Sequence, residues 1–146
     1  MKELWLEKEP SAVYGGKINQ LINLCQLGLS VPKGLILPAD QVMAWLRAAL
    51  PEYSKQGLQE LIKLGKEGIA ERLQQYPLDP AWLQELAAFC QKNQTYIVRS
   101  SALLEDGQNM SFAGQYDSIG NCQTLSEIEQ GIRSCLLSLF NPEALA

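Results

Sequence analysis

Apolar side chains recur at intervals of three and four residues in five parts of the chain, which is the spacing of one buried helical face. These stripes span residues 18–25, 42–49, 54–75, 83–90 and 125–139. Gly28 and Pro51 are predicted to end the first two helices, because glycine favours the left-handed cap and proline cannot continue a helix. Gly65 and Gly68 weaken the third helix by roughly 1 kcal/mol each relative to alanine.

Two of the helix starts carry capping signals. Asp79-Pro80 places an acidic cap before a proline at the first helical position, and Thr124 with Glu127 matches a capping box. Asn141-Pro142-Glu143 has the character of another helix start close to the last residue of the sequence. We therefore expect residues 1–146 to be the amino-terminal part of a larger domain, and a frayed tail is the alternative.

Short β-rich runs lie among the stripes and predict a small mixed sheet. They cover residues 3–6, 35–37, 95–98 and 118–119, and the run at 95–98 is predicted to be a central strand. Residues 100–117 are rich in Ser, Gly, Asn and Asp, which predicts a long loop of the kind that is often functional. The predicted fold is α/β (α+β), with helices flanking a small sheet.

The composition excludes several classes of function. The chain has a net charge of −4 and scattered cations, whereas nucleic-acid-binding proteins usually present a basic face. No apolar run approaches the ~20 residues that cross a bilayer, and residues 1–10 lack a signal-peptide core, so we expect a cytoplasmic protein. The chain contains no histidine, which excludes Ser-His-Asp catalysis and a phosphohistidine within it.

The cysteines and tryptophans are interpreted as packing residues. The four cysteines are widely spaced without a Cys-X-X-Cys pair, which argues against a zinc site. Three of them fall on apolar stripes and are predicted to be small buried side chains; these are Cys25, Cys90 and Cys135. The tryptophans are predicted to pack in the core; these are Trp5, Trp45 and Trp82.

Gly15-Gly16-Lys17, at the start of the first predicted helix, is a candidate phosphate site. Glycines let the backbone approach a ligand closely, and the amide groups and dipole at a helix start attract phosphate. Lys17 is mildly unfavourable in a first helical turn unless an anion lies nearby. The motif is not a Walker A sequence, because Ile18 follows Lys17. A glycine turn with a solvated lysine is the alternative.

Arg99 and the two serines that follow it are a second candidate. Arg99 emerges where the strand at 95–98 ends, and ligands of open α/β sheets gather outside the carboxyl ends of the strands. Its guanidinium suits phosphate oxygens, and Ser100 and Ser101 offer hydroxyl donors. The alternative is a surface ion pair of Arg99 with the acidic pair at 105–106.

Residues 111–117 are a third candidate, because small residues with Gly114 allow backbone N–H groups to fold over a phosphate. Phe112 is expected to anchor this loop or to stack near a base, and an ordinary glycine hairpin is the alternative. The adjacent acids Glu105 and Asp106 suggest metal binding, but a solvated turn is the favoured interpretation.

Four motifs occur in the order and approximate spacing of one enzyme family. They are Tyr14-Gly15-Gly16-Lys17, Gly28-Leu29-Ser30-Val31-Pro32-Lys33-Gly34, Val98-Arg99-Ser100-Ser101-Ala102 with Glu105-Asp106, and Ser111-Phe112-Ala113-Gly114-Gln115. The chain resembles, over nearly its whole length, the amino-terminal nucleotide-binding region of phosphoenolpyruvate synthase, or pyruvate, water dikinase. Its relatives include pyruvate phosphate dikinase and rifampicin phosphotransferase. The block from 99 to 115 is the most specific part of the resemblance.

The resemblance implies an ATP-grasp fold, of which this chain is the first subdomain. It implies that Lys17 contacts ATP phosphates and that Arg99 reaches the phosphates being transferred. The loop around Gly114 and Gln115 is then expected to close over them, and Ser118 stands where the family commonly has threonine. ATP is expected to phosphorylate a histidine on another domain, which then passes the phosphate to pyruvate.

The partners that the resemblance implies lie outside this sequence. They are a second ATP-grasp half with the Mg²⁺ ligands, a phosphohistidine domain and a pyruvate-binding domain, so residues 1–146 alone are expected to be inactive. Leu103-Leu104 replaces a more polar pair of the family. Two alternatives stay open: a stand-alone binding or interaction module without catalysis, and a relative that acts on an antibiotic or a glucan.

Overall fold

The computed structural model describes residues 1–4, 7, 9–11, 14–52, 58–101 and 118–140. The described residues contain four strands and five helices and form a mixed α/β fold, as predicted. In chain order the elements are β1 (Lys2–Glu3), α1 (Gly15–Gln26), β2 (Leu35–Ile36), α2 (Ala39–Ala49), α3 (Leu58–Gln75), α4 (Pro80–Phe89), β3 (Tyr96–Arg99), β4 (Ser118–Cys122) and α5 (Leu125–Ser138). No helix within these ranges has the length and apolar character that crossing a membrane requires.

The described residues divide into two compact units. The first unit contains the described residues of 1–42 together with Ser101, and the second contains those of 43–100 and 118–140. Ser101 therefore packs with the amino-terminal residues, although it lies far from them in sequence.

In the first unit, α1 packs with a two-stranded sheet. β1 and β2 are antiparallel, with Lys2 opposite Ile36 and Glu3 opposite Leu35. The Leu4 N–H donates to the Gly34 carbonyl oxygen at 2.8 Å. The apolar stripe of α1 completes the core, which consists of Leu4, Tyr14, Ile22 and Ile36, with Ile18, Leu21 and Val31 packed against it.

In the second unit, β3 and β4 form an antiparallel ribbon on α5. Val98 pairs with Ile119, and both face α5, because a Cβ added at Gly131 of that helix would lie 3.0 Å from Val98 Cγ2 and 3.5 Å from Ile119 Cβ. Gly120 and Asn121 lie opposite the single residue Ile97, which makes a β-bulge. Helices α3 and α4 pack on α5.

Trp45 is the centre of an aromatic cluster in the second unit. Its ring lies 5.7 Å from that of Tyr76 in an edge-to-face arrangement and 6.4 Å from that of Trp82. Its indole N–H donates to the Pro77 carbonyl oxygen at 2.9 Å, so the buried ring keeps a polar partner. The predicted burial of Trp45 and Trp82 is confirmed, whereas Trp5 lies outside the described residues.

Arg133 of α5 is buried at the carboxyl end of α3, with only 7% of the residue exposed. Its guanidinium donates to the carbonyl oxygens of Leu73 and Tyr76 and contacts the Glu129 carboxylate at 3.2 Å. The last carbonyl groups of a helix have no partner within the helix. Arg133 satisfies one such group, the Leu73 carbonyl, together with the carbonyl of Tyr76 just after the helix, and thereby joins the end of α3 to α5.

The predicted helix starts agree with the observed caps. The Asp79 carboxylate accepts from the Ala81 N–H at 2.9 Å, and Thr124 Oγ1 accepts from the Glu127 N–H at 3.1 Å. The Glu127 carboxylate in turn accepts from the Gln123 N–H. The predicted start at 141–143 lies outside the described residues.

Several details differ from the sequence prediction. Among the described residues β3 pairs with β4 alone, so it is not a central strand there, and Ile97 is 63% exposed. Both described sheets are antiparallel pairs instead of one mixed sheet. Helix α3 is broken at Gly65, whose φ of 66° and ψ of 174° are not helical. Cys135 is buried as expected, but Cys25 and Cys90 are only half-buried.

Candidate functional site

The start of α1 depends on the backbone conformation of Gly15. Its φ is +76°, a left-handed value that side chains with a Cβ rarely adopt. Because this value is not helical, Gly15 occupies the capping position and Gly16 is the first residue with a helical role. Glycine has no side chain with which to cap the helix, and Tyr14 before it makes no side-chain cap either.

The missing cap is supplied by Ser101, which is 83 residues further along the chain. The Ile18 N–H donates to Ser101 Oγ at 3.0 Å. Counted from Gly15, Ile18 is the third helical residue, whose N–H is one of the two that an N-cap side chain normally satisfies. A Cβ on Gly15 would lie 1.9 Å from the Ser101 carbonyl oxygen and 2.9 Å from its hydroxyl oxygen. Only glycine at position 15 leaves room for this serine.

The chain before Gly15 is held against α1 by Asn19. The Asn19 amide oxygen accepts from the Ser11 N–H, its amide nitrogen donates to the Ser11 carbonyl oxygen, and both distances are 3.0 Å. The Tyr14 N–H also donates to the Ser11 carbonyl oxygen at 3.1 Å. The segment leading into the helix is therefore fixed by three hydrogen bonds that centre on Ser11.

Tyr14, the residue before Gly15, is buried in the core, with 4% of its surface exposed. Its hydroxyl group donates to the Glu7 carboxylate. Burial, followed by this hydrogen bond and the negative charges of Glu7 and Asp40, raises the pKa of Tyr14 to about 12. The phenol is therefore neutral near pH 7.

Lys17 lies in the first turn of α1 and is half-buried. The first turn of α1, all of which is described, contains no acidic residue. The partial positive charge of the helix start and the charge of Lys17 therefore add to each other within that turn. An anion is the species that such a helix start attracts.

In the second unit, Arg99 and Ser118 are brought together by the register of the ribbon. Arg99 ends β3, Ser118 begins β4, and the two residues are direct cross-strand partners. Val98 and Ile119 face α5, and adjacent residues of a strand point to opposite faces. Their neighbours Arg99 and Ser118 therefore project from the face turned away from α5. Arg99 and Ser118 are both exposed there, beside Ile97.

Of the predicted site residues, Lys17 belongs to the first unit, and Arg99 and Ser118 belong to the second. Gly114 and Gln115 lie outside the described residues. Mg²⁺ prefers oxygen ligands from carboxylates, but no three acidic, histidine or cysteine side chains cluster in the described part of the chain.

Sequence analysis missed two contributors to the start of α1. Asn19 lies beside the apolar stripe of α1, and its hydrogen bonds reach back eight residues to Ser11. The sequence predicts a hydroxyl donor at Ser101, and the structure adds that its hydroxyl oxygen accepts from the Ile18 N–H. No local pattern predicts a contact between residues so distant in sequence.

Comparison with known proteins assigns the chain to a class of nucleotide-binding domains. Residues 11–146 match the family described as pyruvate phosphate dikinase, AMP/ATP-binding domain. This match covers most of the sequence, and the chain belongs to this family. No solved structure gave a significant match.

The names of the curated relatives describe different activities. The chain is 29% identical over 152 residues to phosphoenolpyruvate synthase of Escherichia coli, covering 90% of this chain and 19% of that protein. It is 31% identical over 135 residues to the prodigiosin synthesizing transferase PigC of Serratia marcescens, covering 89% and 14%. It is 28% identical over 155 residues to rifampicin phosphotransferase of Bacillus subtilis, covering 96% and 18%. The chain thus spans less than a fifth of the length of each of these relatives.

Proposed function

We propose that this chain is the ATP-binding portion of a phosphoenolpyruvate synthase-like dikinase and forms the first subdomain of an ATP-grasp domain. It holds the phosphates of ATP for transfer to a histidine on another domain and then to pyruvate. The observation that carries the proposal is the cross-strand pairing of Arg99 with Ser118 on an exposed sheet face. A guanidinium and a hydroxyl group on one face can donate to the same phosphate.

Lys17 supplies the second cationic contact to ATP in this proposal. Its helix start combines a positive dipole end with a lysine and has no acidic residue in the first turn. The backbone at Gly15 is held by the Ser101 contact. A fixed helix start loses little freedom when phosphate binds, which favours affinity.

The chemistry assigned to these residues is electrostatic. Phosphoryl transfer spreads negative charge over the phosphate oxygens, and its catalysis depends on positioning and on cations placed where that charge gathers. Arg99 contacts the phosphates being transferred, and Ser118 adds a hydroxyl donor. Gly114 and Gln115 are proposed to contribute to ATP binding as well. Mg²⁺, when bound, neutralises phosphate charge, and its ligands belong to other parts of the protein.

The proposal is tested by Arg99→Ala in the full-length protein. Phosphoryl transfer from ATP should fall by about 100-fold or more, because a charged donor to the transferring phosphate is lost. Arg99→Lys should give an intermediate rate, since lysine keeps the charge but lacks the planar fork. The measurement is the formation of phosphohistidine and of product with labelled ATP.

Arg47→Ala is the matched control, because Arg47 is an exposed arginine on α2. Its rate should stay within about twofold of the wild-type rate. Near-normal turnover of Arg99→Ala would contradict the proposal. ATP binding that needs Arg99, in a protein that transfers no phosphate to any acceptor, would favour the non-catalytic binding module instead.

A different acceptor is the second candidate function. The identities to a phosphoenolpyruvate synthase, a prodigiosin synthesizing transferase and a rifampicin phosphotransferase are nearly equal, at 29%, 31% and 28%. The residues proposed to hold ATP would keep their roles with any of these acceptors. Turnover with pyruvate measured beside turnover with an antibiotic acceptor distinguishes the two candidates.

A further inference from the structure

We propose that Ser101 is a positioning residue, which fixes the start of α1 and thereby holds Lys17 where ATP phosphate binds. This inference rests on the function proposed above, because it gives Ser101 a role in that same site. It differs from the role of a direct phosphate donor, since Ser101 acts through the backbone of α1.

The hydrogen bond of Ser101 defines the first turn of the helix. Its hydroxyl oxygen accepts from the Ile18 N–H at 3.0 Å, and Ile18 directly follows Lys17. When an N-cap is lost, the first turn of a helix frays. Lys17 belongs to that turn, so its side chain would lose a defined position together with the backbone.

The fit of Gly15 against Ser101 indicates that the contact is specific. The Cβ of any other residue at position 15 would overlap the Ser101 carbonyl oxygen, at a distance of 1.9 Å. The chain thus combines a glycine that cannot cap its own helix with a serine seated in the space that this glycine leaves. Glycine at position 15 leaves room for Ser101, and Ser101 supplies the cap that this glycine lacks.

The position of Ser101 in the sequence links two of the predicted phosphate motifs. Ser101 is the second residue after Arg99. The short segment Arg99-Ser100-Ser101 therefore contains the arginine that is proposed to contact the transferred phosphate. It also contains the serine that caps the helix bearing Lys17.

Three variants of the full-length protein test the inference. Ser101→Ala should raise the KM for ATP about five- to tenfold, the change that corresponds to loss of a typical cap, while kcat changes less. Ser101→Thr keeps the hydroxyl group and should bind ATP nearly as the wild type does. Ser101→Cys keeps the size but is a weak acceptor, so its KM should be intermediate; it also serves if Ser101→Ala does not fold.

Thr124→Ala is the matched control for a general loss of stability. Thr124 Oγ1 accepts from the Glu127 N–H at 3.1 Å, the same kind of cap at the start of α5. Both alanine variants should lower the urea midpoint by similar amounts, but only Ser101→Ala should raise the KM for ATP. Equal KM values in the two variants would overturn the inference.

A double variant distinguishes failure of this inference from failure of the proposed function. Lys17→Ala should weaken ATP binding, and Ser101→Ala should add little to it in that background, because Ser101 acts through Lys17. Fully additive losses would overturn the positioning role and leave the function of Lys17 intact. If Lys17→Ala alone has no effect on ATP binding, the proposed role of Lys17 is wrong and the inference falls with it.

Discussion

Arg99, the last residue of β3, pairs directly with Ser118, the first residue of β4. Direct cross-strand partners have Cβ atoms about 4.5–5.5 Å apart and project from the same face of the sheet. Both side chains are exposed on the face turned away from α5. The chain thus presents a guanidinium and a hydroxyl group side by side at the end of a strand.

Ser118→Ala should reduce phosphoryl transfer about two- to tenfold, the loss expected for one hydrogen bond of about 0.5–1.5 kcal/mol. Ser118→Thr should keep most of the activity, because the hydroxyl group survives and a β-branched residue suits a strand. Steady-state kinetics with ATP as the varied substrate measures both changes. A Ser118→Ala enzyme with unaltered kinetics would remove this residue from the site.

Ser126→Ala is the control for removal of an exposed hydroxyl group. Ser126 lies in the first turn of α5 and is exposed. Its substitution should leave the kinetics unchanged, because Ser126 has no place in the proposed site. The Arg99→Ala and Ser118→Ala changes should be less than additive when combined, since both groups are proposed to contact the same phosphates.

Gly15→Ala should destabilise the protein by about 2–4 kcal/mol. The added Cβ would overlap the Ser101 carbonyl oxygen, and overpacking of this kind typically costs about 1–3 kcal/mol. The left-handed backbone conformation adds roughly 1 kcal/mol for a residue with a Cβ. Urea denaturation followed by circular dichroism measures the free energy of unfolding.

Gly28→Ala is the control for the cost of the left-handed backbone conformation alone. Gly28 has a φ of +80°, almost the value of Gly15, but an added Cβ there would meet nothing within 4 Å. It should cost only about 1 kcal/mol. If the two variants lose equal stability, the contact of Gly15 with Ser101 is not what requires glycine at that position.

Arg133→Ala should destabilise the protein by about 3 kcal/mol or more. The substitution leaves the carbonyl oxygens of Leu73 and Tyr76 without this donor and removes the partner of Glu129. A buried acceptor that loses its donor typically costs about 1–3 kcal/mol, and this substitution affects two carbonyl groups. Thermal and urea unfolding measure the change.

Arg133→Lys and Arg47→Ala are the two controls for this prediction. Lysine keeps the charge but cannot reproduce the planar fork, so Arg133→Lys should recover only part of the stability. Arg47 is exposed, and its substitution should change the free energy of unfolding by no more than about 0.5 kcal/mol. A loss at Arg133 as small as that at Arg47 would show that the buried contacts contribute little.

The features that the sequence predicted well are those set by nearby residues. The Asp79 and Thr124 caps each bond to a backbone N–H within three residues, so local spacing was enough to locate both helix starts. Gly28 was predicted as a left-handed helix end, and its φ of +80° confirms this. The end of β3 at Arg99 also followed from the apolar run before it.

The features that the sequence could not predict depend on distant partners. Ser101 meets Ile18 across 83 residues and Arg133 meets Leu73 across 60, and neither pair leaves a periodic pattern. The exposure of Ile97 was missed for a related reason. An apolar strand predicts burial on both faces, but in the described residues the face that carries Ile97 is not covered.

The stability of the protein should fall as the pH rises from about 10 to about 12, because burial and the negative charges of Glu7 and Asp40 raise the pKa of Tyr14 to about 12. An unfolded tyrosine ionises near pH 10, so within this range the native state holds a proton that the unfolded state has lost. Stability that is fully present below pH 10 is therefore lost as the pH approaches 12, by about 2–3 kcal/mol. Tyr14→Phe should remove this part of the pH dependence. Urea unfolding of both proteins across this range measures the difference, and parallel stability curves would show that Tyr14 ionises alike in the two states.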